Sequence, residues 1–418
     1  MRRPTMWGLR IGAVCALAQA TAACGGHAQD EAGNVTSSKH ELRLLDEFGQ
    51  PVAQTRALID GKVVVTDDDG RAELGELPAS YDAVVAIGTD VRAFLGLKAR
   101  SPTIEITDRE LFAGTEHIAT VNISNVKPGP NQVLCYAAGV TGEKSPPQTL
   151  GYNSDDQSSW AVISWAASGD EALSAQAFLA DFDPATQSVI GYSGFASKTW
   201  PHAAQQQSVA WTPDFQAPAF ETKTIHVDLN IPADESVAWY SVGIQESSGL
   251  AGPIGSFSGG TSADLVVPDL PGASFDVFAA LDGPGGSYQI AMHAISAGAT
   301  VHAEGGVGVQ QLAPVDGLMN VTPETDFRWS EQPGSIYELL AFSDSNASVS
   351  YNYVIATSGS IAHLPDTSAL GVPFPSGLTL QWLARSERGY ASVDNYAAAR
   401  STETGTGFSG YQKFTTAP

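Results

Sequence analysis

The chain has little positive charge: 21 Lys and Arg stand against 45 Asp and Glu, a formal net charge of −24. Nucleic acids and anionic membrane surfaces are bound by clustered basic residues, so this balance argues against nucleic acid as a partner. Long apolar runs are also missing, and no stretch reaches the roughly 20 residues that a membrane-spanning helix needs.

Cysteine is scarce as well, with three in 418 residues. Three thiols cannot form the disulfide framework of a small secreted domain, so hydrophobic cores must stabilise the fold. Cys135 lies in the apolar run 132–138, where we expect a buried and unreactive thiol.

Familiar catalytic motifs are absent from the sequence. None of its eight histidines stands in a His-Glu-x-x-His motif, and neither a Gly-x-Ser-x-Gly turn nor a glycine-rich phosphate loop occurs. We therefore predict no catalytic residues and no resident cofactor. Carboxylates are abundant, however, so a carbohydrate-active or other hydrolytic enzyme with an unrecognised carboxylate pair stays open as the alternative.

The N-terminus has the three parts of a secretory signal. Arg2, Arg3 and Arg10 form a basic region, 11–18 is a short apolar run, and small residues follow. We predict that residues 1–23 are a signal peptide and that the protein is exported.

The end of this signal, Thr21-Ala-Ala-Cys24, resembles the lipobox of bacterial lipoproteins. The resemblance implies that Cys24 becomes the first mature residue and carries the acyl chains, which would make the membrane a partner. The family usually has Leu where Thr21 stands, so ordinary signal-peptidase cleavage after residues 20–22 is the alternative. Gly25 after the cysteine implies export to the outer membrane, facing either the periplasm or the surface.

After a polar stretch, 24–38, that we interpret as a flexible tether, short alternating or apolar runs are separated by Gly, Pro, Asp and Asn clusters. Turn signals spaced about 8–12 residues apart indicate an all-β chain of tandem antiparallel β-sandwich domains. Only the window 170–180 could equally be helical. The predicted domains are 39–107, 108–220, 221–312 and 313–418.

The first of these domains carries an ordered set of motifs: Gly49-x-Pro-Val52, then Val65-Thr-Asp-x-x-Gly-Arg-Ala72, then Leu77-Pro-x-x-Tyr-Asp82. These resemble the carboxypeptidase-regulatory-like family, which implies a seven-stranded, transthyretin-like sandwich that serves as a non-catalytic module. Within it, Gly70 is placed to provide the positive φ of a tight turn.

The two middle domains form a weak internal repeat, since Val121 and Tyr136 recur in the same order as Ile225 and Tyr240. The last domain, 313–418, resembles a fibronectin type III or immunoglobulin-like sandwich with Trp329 and Trp382 facing inward. Such a fold carries no function by itself.

Two groups of residues are weak candidates for binding. Asp67 with Asp69, and Asp181 with Asp183, offer the clustered oxygens that Ca²⁺ prefers, although turn chemistry explains the same residues. Trp200 lies in the polar stretch 199–208, which we predict to be a loop, and could stack on a glycan. The sequence thus favours a non-enzymatic, lipid-anchored cell-envelope protein that presents sandwich modules to a protein or glycan partner.

Overall fold

The structure is a computed structural model that describes residues 40–46, 49–106, 116–141, 148–150, 158–166, 172–201, 207–218, 220–246, 250–283, 286–343, 349–398 and 405–418. Strands dominate these residues, and helix is limited within them to α1 (Val393–Ala398) and a 3₁₀ turn at Ser368–Leu370. The predicted all-β fold is confirmed. The window that could have been helical is a strand from residue 172 onward.

The first module consists of seven strands: β1 (His40–Asp46), β2 (Arg56–Ile59), β3 (Lys62–Val65), β4 (Arg71–Leu74), β5 (Tyr81–Ile87), β6 (Asp90–Leu97) and β7 (Thr103–Ile106). In one sheet β1 lies between β4, antiparallel to it, and β7, parallel to it. The other sheet has the order β3-β2-β5-β6. Buried side chains from both sheets form one core between them.

Local sequence explains the first turns of this module. Strand β1 alternates, so that Leu42 and Leu44 are both fully buried. Gly70 has a φ of 70°, and a Cβ on it would lie 2.6 Å from the carbonyl oxygen of Leu44. The predicted glycine turn is therefore confirmed, and the close approach of the backbone is a second reason for glycine there.

The second module has seven strands: β8 (Glu116–Ser124), β9 (Gln132–Thr141), β10 (Gln148–Leu150), β11 (Ser158–Ala166), β12 (Ala172–Asp183), β13 (Ser188–Trp200) and β14 (Gln207–Trp211). The third module also has seven: β15 (Thr222–Asn230), β16 (Ser236–Glu246), β17 (Leu250–Phe257), β18 (Ser262–Pro268), β19 (Ala273–Gly283), β20 (Gly286–Ile295) and β21 (Thr300–Glu304).

All three of these modules use one pairing scheme. The first strand of each is antiparallel to the fourth and parallel to the seventh, as β8 is to β11 and β14, and β15 to β18 and β21. The second strand of each pairs with the fifth, as β9 does with β12 and β16 with β19. The scheme repeats along 40–304, while the domain boundaries given above stay a prediction.

The fourth module contains β22 (Gln311–Ala313), β23 (Leu318–Val321), β24 (Phe327–Trp329), β25 (Ile336–Ser343), β26 (Asn352–Thr357), β27 (Ile361–Ala362), β28 (Thr379–Arg388), β29 (Gly405–Phe408) and β30 (Gln412–Thr416). A small sheet, β22-β24-β27, packs on a larger one centred on β25 and β28. Trp329 and Trp382 are buried from these two sheets, and the Trp382 ring meets Phe327 at 5.1 Å. Their predicted inward orientation is confirmed.

The chain divides into two compact units. Unit A consists of the described residues of 114–282 and 289–305, and unit B of those of 24–113, 283–288 and 306–418. Unit A thus contains most of the second and third modules, and unit B contains the first and fourth.

Within unit A, one sheet runs through both modules. Strand β10 pairs with β11 in the smaller sheet, which leaves the edge of β9 open to β17 of the third module. Ala251 faces Ala138 across this antiparallel pairing, which we call the A seam. The buried Tyr192 strengthens the connection, because its hydroxyl lies 3.3 Å from the Ile254 carbonyl and 3.2 Å from that of Val266.

Unit B is built in the same way. Strand β6 of the first module pairs in parallel with β26 of the fourth, from Asp90 opposite Asn352 to Leu95 opposite Thr357; we call this the B seam. The Asn352 amide also donates to Asp90 Oδ1 at 2.8 Å. Apolar side chains cover both faces of the shared sheet, with Val84 in one core and its neighbour Val85 in the other.

Glycine at position 252 is needed for the A seam. A Cβ there would lie 2.6 Å from the Tyr136 carbonyl oxygen and 2.7 Å from Ala137 Cα, both backbone atoms of β9. We expect Gly252→Ala to force the two strands apart and to destabilise unit A by about 2 kcal/mol, measured by thermal and chemical unfolding. Gly243→Ala is the matched control, because the nearest atom to its Cβ lies at an ordinary 3.5 Å. Equal stability of the two variants would contradict the seam.

Candidate functional site

The described residues contain a cleft of about 450 Å³ in the second module. It lies where the loop before β9 meets the hairpin that joins β12 to β13. Its walls are formed by Gly129, Pro130, Asn131, Gln132, Asp181, Phe182, Asp183, Pro184 and Ile190. Two of the four sequence-predicted carboxylates, Asp181 and Asp183, are therefore brought together in one concave surface.

Strand register positions the polar floor of this cleft. Gln132 at the start of β9 is the partner of Asp181 near the end of β12, and Gly191 at the start of β13 is its partner on the other side. The Phe182 N–H donates to the Asn131 carbonyl at 2.7 Å, which ties the loop to the hairpin. The cleft is thus set by the backbone ladder.

Asp181 is the centre of a small hydrogen-bond network. Its Oδ1 accepts from the Ser193 hydroxyl at 2.7 Å and from the Gln132 amide at 3.2 Å, and that amide also donates to the Ser193 oxygen at 2.7 Å. Its Oδ2 lies over Gly191, where a Cβ would come only to 3.9 Å. One carboxylate oxygen is therefore fixed by neighbours, and the other is accessible to a donor on a ligand.

Asp183 has a different task, because its oxygens stabilise the turn after β12. Oδ1 accepts from the Ala185 N–H at 2.8 Å and Oδ2 from the Thr186 hydroxyl at 2.9 Å. The Ala185 N–H first, and then the Thr186 hydroxyl, lower the pKa of Asp183 by bonding its charged form. This is the turn chemistry named as the alternative to calcium.

The rim of the cleft is apolar. Ile190 on β13 is 60% exposed, an unusual position for a large aliphatic side chain on a sandwich surface. Pro130 and Pro184 are exposed beside it. Chemically, the cleft offers apolar contact together with one accessible acceptor oxygen, which suits recognition of a ligand that carries both an apolar face and a donor.

The other calcium candidates lie in the turn between β3 and β4 of the first module. Asp67 Oδ1 accepts from the N–H groups of Asp69 at 3.0 Å and Arg71 at 2.8 Å. Asp67 thus organises the turn, while Asp69 is exposed. In the part of the chain that the structure describes, no group of three or more His, Cys, Asp or Glu side chains is arranged to hold a metal ion.

Trp200 is the last residue of strand β13, so the predicted loop starts later than expected. Its ring is half-buried, meets Trp211 edge to face at 6.3 Å, and has the Lys198 ammonium 5.1 Å from its centroid. The strand continues to this residue because it pairs with Leu173 of β12. Glycan stacking on Trp200 stays a prediction, on a ring that already has these neighbours.

Two further expectations concern cysteines. Cys135 is buried on β9, and burial raises the pKa of its thiol to about 12, so almost no thiolate exists near neutral pH. The expected unreactive thiol follows from this environment. The lipidation site Cys24, the signal 1–23 and the tether 24–38 lie outside the described residues.

A second polar cluster, which sequence reasoning missed, lies on the small sheet of the third module. His226 Nδ1 is 2.7 Å from Asp264 Oδ1, and Asp228 lies 3.3 Å from His226 Nε2 and 3.4 Å from His302 Nδ1. The hydrogen bond with Asp264 is the main cause that raises the pKa of His226. All four side chains are exposed. The alternation of His226 and Asp228 along β15 was the available signal.

Among the helices of the described residues, none is long and apolar enough to cross a membrane.

No protein-family model matches the chain, and no curated protein matches it. Among solved structures, it is similar to a leucine-rich repeat protein from Bacteroides thetaiotaomicron at 7% identity and a TM-score of 0.16, over 46% of this chain and 27% of that one. It is also similar to the N-terminal four Ig domains of Dscam1 (8%, TM-score 0.16, covering 91% and 100%) and to the pilus adhesin SpaC from Lactobacillus rhamnosus GG (12%, TM-score 0.14, covering 78% and 44%). The chain thus spans about a quarter of the first of these proteins. Similarities at this level carry no conclusion about function.

The Asp183 turn gives a pH-dependent expectation. Because the folded pKa is lowered, the carboxylate stabilises the hairpin above the unfolded pKa, and this contribution is lost as the pH falls through the folded pKa. We expect Asp183→Ala to lower the melting temperature near neutral pH and to match the wild type in acid. Asp214→Ala, on an exposed loop of the same module, is the control and should shift little at either pH. A difference that persisted in acid would contradict the assignment.

Proposed function

We propose that the protein is an exported, lipid-anchored, non-catalytic scaffold whose β-sandwich modules present a binding surface to a protein or glycan partner. The observation that carries this proposal is the pairing of edge strands between modules in each unit. Shared sheets hold two modules in one orientation, as a display scaffold requires.

The cleft of the second module supports the binding part of the proposal. Exposed Ile190 and the accessible oxygen of Asp181 provide one apolar and one polar contact. Gln132 and Ser193 orient Asp181 rather than activate it, because both donate to the same carboxylate oxygen. A carboxylate held in this way is an acceptor for a ligand hydroxyl or amide.

The anchoring part of the proposal comes from the N-terminal sequence. The basic and apolar segments of 1–23, Cys24 and Gly25 together support export and acylation, with the outer membrane as destination. The seven strands of the first module agree with a carboxypeptidase-regulatory-like module, which in secreted bacterial proteins is non-catalytic.

Cys24→Ala tests the anchor. Removing the only thiol that could be acylated should move the protein from the membrane fraction to the soluble fraction of the cell envelope, because no acyl chain would then hold it. Immunoblots of the two fractions measure the shift, and Cys135→Ala is the matched control that should stay with the membrane. Membrane retention of the Cys24→Ala protein would overturn the anchor.

Ile190→Asp tests the binding surface. With the soluble chain 25–418 as bait, we expect this variant to lose at least about tenfold of the signal on a glycan array or in capture from envelope extract, since a charge would replace the apolar contact. Ile361→Asp is the control, at an exposed isoleucine of the fourth module. If neither variant changed a reproducible signal, or if no signal existed, the cleft would not be the binding surface.

A further inference from the structure

Strand β3 forms one end of the shared sheet in unit B. It pairs with β2 on its inner side, with Ala57 opposite Val64 and Leu58 opposite Val63. On the outer side, none of the strands in the described ranges pairs with it. The strand therefore presents an open edge.

The outward backbone groups of this edge can be identified. Thr66 directs both of its groups inward, since its N–H donates to Thr55 and its carbonyl accepts from Gln54, each at 3.0 Å. Residues alternate along an antiparallel strand, so Val64 also faces inward, and Val63 and Val65 direct their N–H and C=O groups outward. Two donors and two acceptors are thus spaced along roughly 7 Å of edge.

The side chains do not protect this edge. Val63 and Val65 are 40% and 51% exposed, and both are β-branched residues that suit pairing with another strand. Natural edge strands are commonly blunted by proline, bulges or inward charges. The residues Lys62–Val65 contain one charge, Lys62, and no proline.

The corresponding strand of the third module already accepts such a neighbour. Strand β17 is the third strand of its module, as β3 is of the first, and it pairs with β9 of the second module at the A seam. In this chain, the third-strand edge is therefore a position where strand addition occurs.

Charge indicates the kind of strand that fits. Exposed carboxylates flank the edge at both ends: Asp60 before β3, and Asp67, Asp68 and Asp69 after it. A second copy is disfavoured, because antiparallel pairing centred on Val64 would place Asp60 opposite Asp68 of the copy, and like charges across strands are destabilising. A strand with basic ends avoids this repulsion.

We propose that β3 is a docking edge for an extended segment of another protein, with an apolar, β-branched centre and Lys or Arg at both ends. The segment extends the sheet by backbone hydrogen bonds to Val63 and Val65, and its basic ends pair with the flanking carboxylates. This site is separate from the cleft of the second module, so its failure would leave the proposed function untouched.

The probe is a fluorescent peptide, Lys-Lys-Val-Thr-Val-Thr-Val-Lys-Lys, titrated with the soluble chain 25–418 and followed by anisotropy. We expect saturable binding that weakens as salt rises. Two control peptides, one with Glu in place of Lys and one with Pro at the central Val, should bind at least about tenfold more weakly. Equal binding of all three peptides, or no binding of the first, would overturn the proposal.

Variants of the chain locate the site. Val65→Pro removes an outward N–H but no bond to β2, so the fold should persist while peptide affinity falls at least about tenfold. The double variant Asp60→Asn, Asp68→Asn removes two charges: Asn tolerates the φ of 48° at position 60 and still accepts from Gln54 at position 68. It should bind more weakly at low salt and lose most of the salt dependence. Unchanged binding by this double variant contradicts the proposal even if the proline variant fails to fold.

Light scattering of the same samples decides between occupants. A monomer that binds the basic peptide agrees with the proposal. A dimer that Val65→Pro converts to monomer would identify a second copy as the occupant and overturn it.

Discussion

The backbone hydrogen bonding between edge strands of neighbouring modules is the interaction on which the rest of the structure depends. An open edge is a liability in a β protein, because its unpaired polar groups attract other strands. Here β9 takes β17, and β6 takes β26, so each edge is satisfied within the chain. In unit B the seam also joins two cores, since neighbouring residues of β5 point into opposite ones. Two modules that share a ladder move as one body, whereas modules joined by a linker alone are free to reorient.

This arrangement has consequences for recognition. The cleft is formed by the ends of β9, β12 and β13, the strands of the second module that belong to the shared sheet of unit A. Its geometry is therefore held by the same ladder that fixes the third module. Asp181 is oriented by two side chains from neighbouring strands, which limits its rotation and prepares it to accept from a ligand. A rigid scaffold with a preformed cleft loses less entropy on binding than a mobile loop would.

Much of the fold can be read from the sequence, because alternation tells which face of a strand is buried. The strands around Leu42 and Leu44, the turn at Gly70 and the inward Trp329 and Trp382 all follow from local pattern and turn chemistry. Edge partners do not follow, since alternation contains no information on which strand lies beside which. Nothing near Gly252 in the sequence identifies β9 as its neighbour. For the cleft, the spacing of Asp181 and Asp183 was visible, but Gln132 and Ser193 are brought to Asp181 by register alone. Trp200 was misplaced in a loop because a polar stretch follows directly after the strand.

The central claim is that the seams are as firmly paired as the interior of each module. Native-state hydrogen exchange, followed residue by residue, tests it most directly. We expect ladder amides of β6 and β26, and those of β9 and β17 where they face each other, to be protected to the same degree as those of the central strands β5 and β12. Exchange of the seam amides at the rate of exposed loops, with the central strands still protected, would show that the modules pair only transiently and would contradict the account.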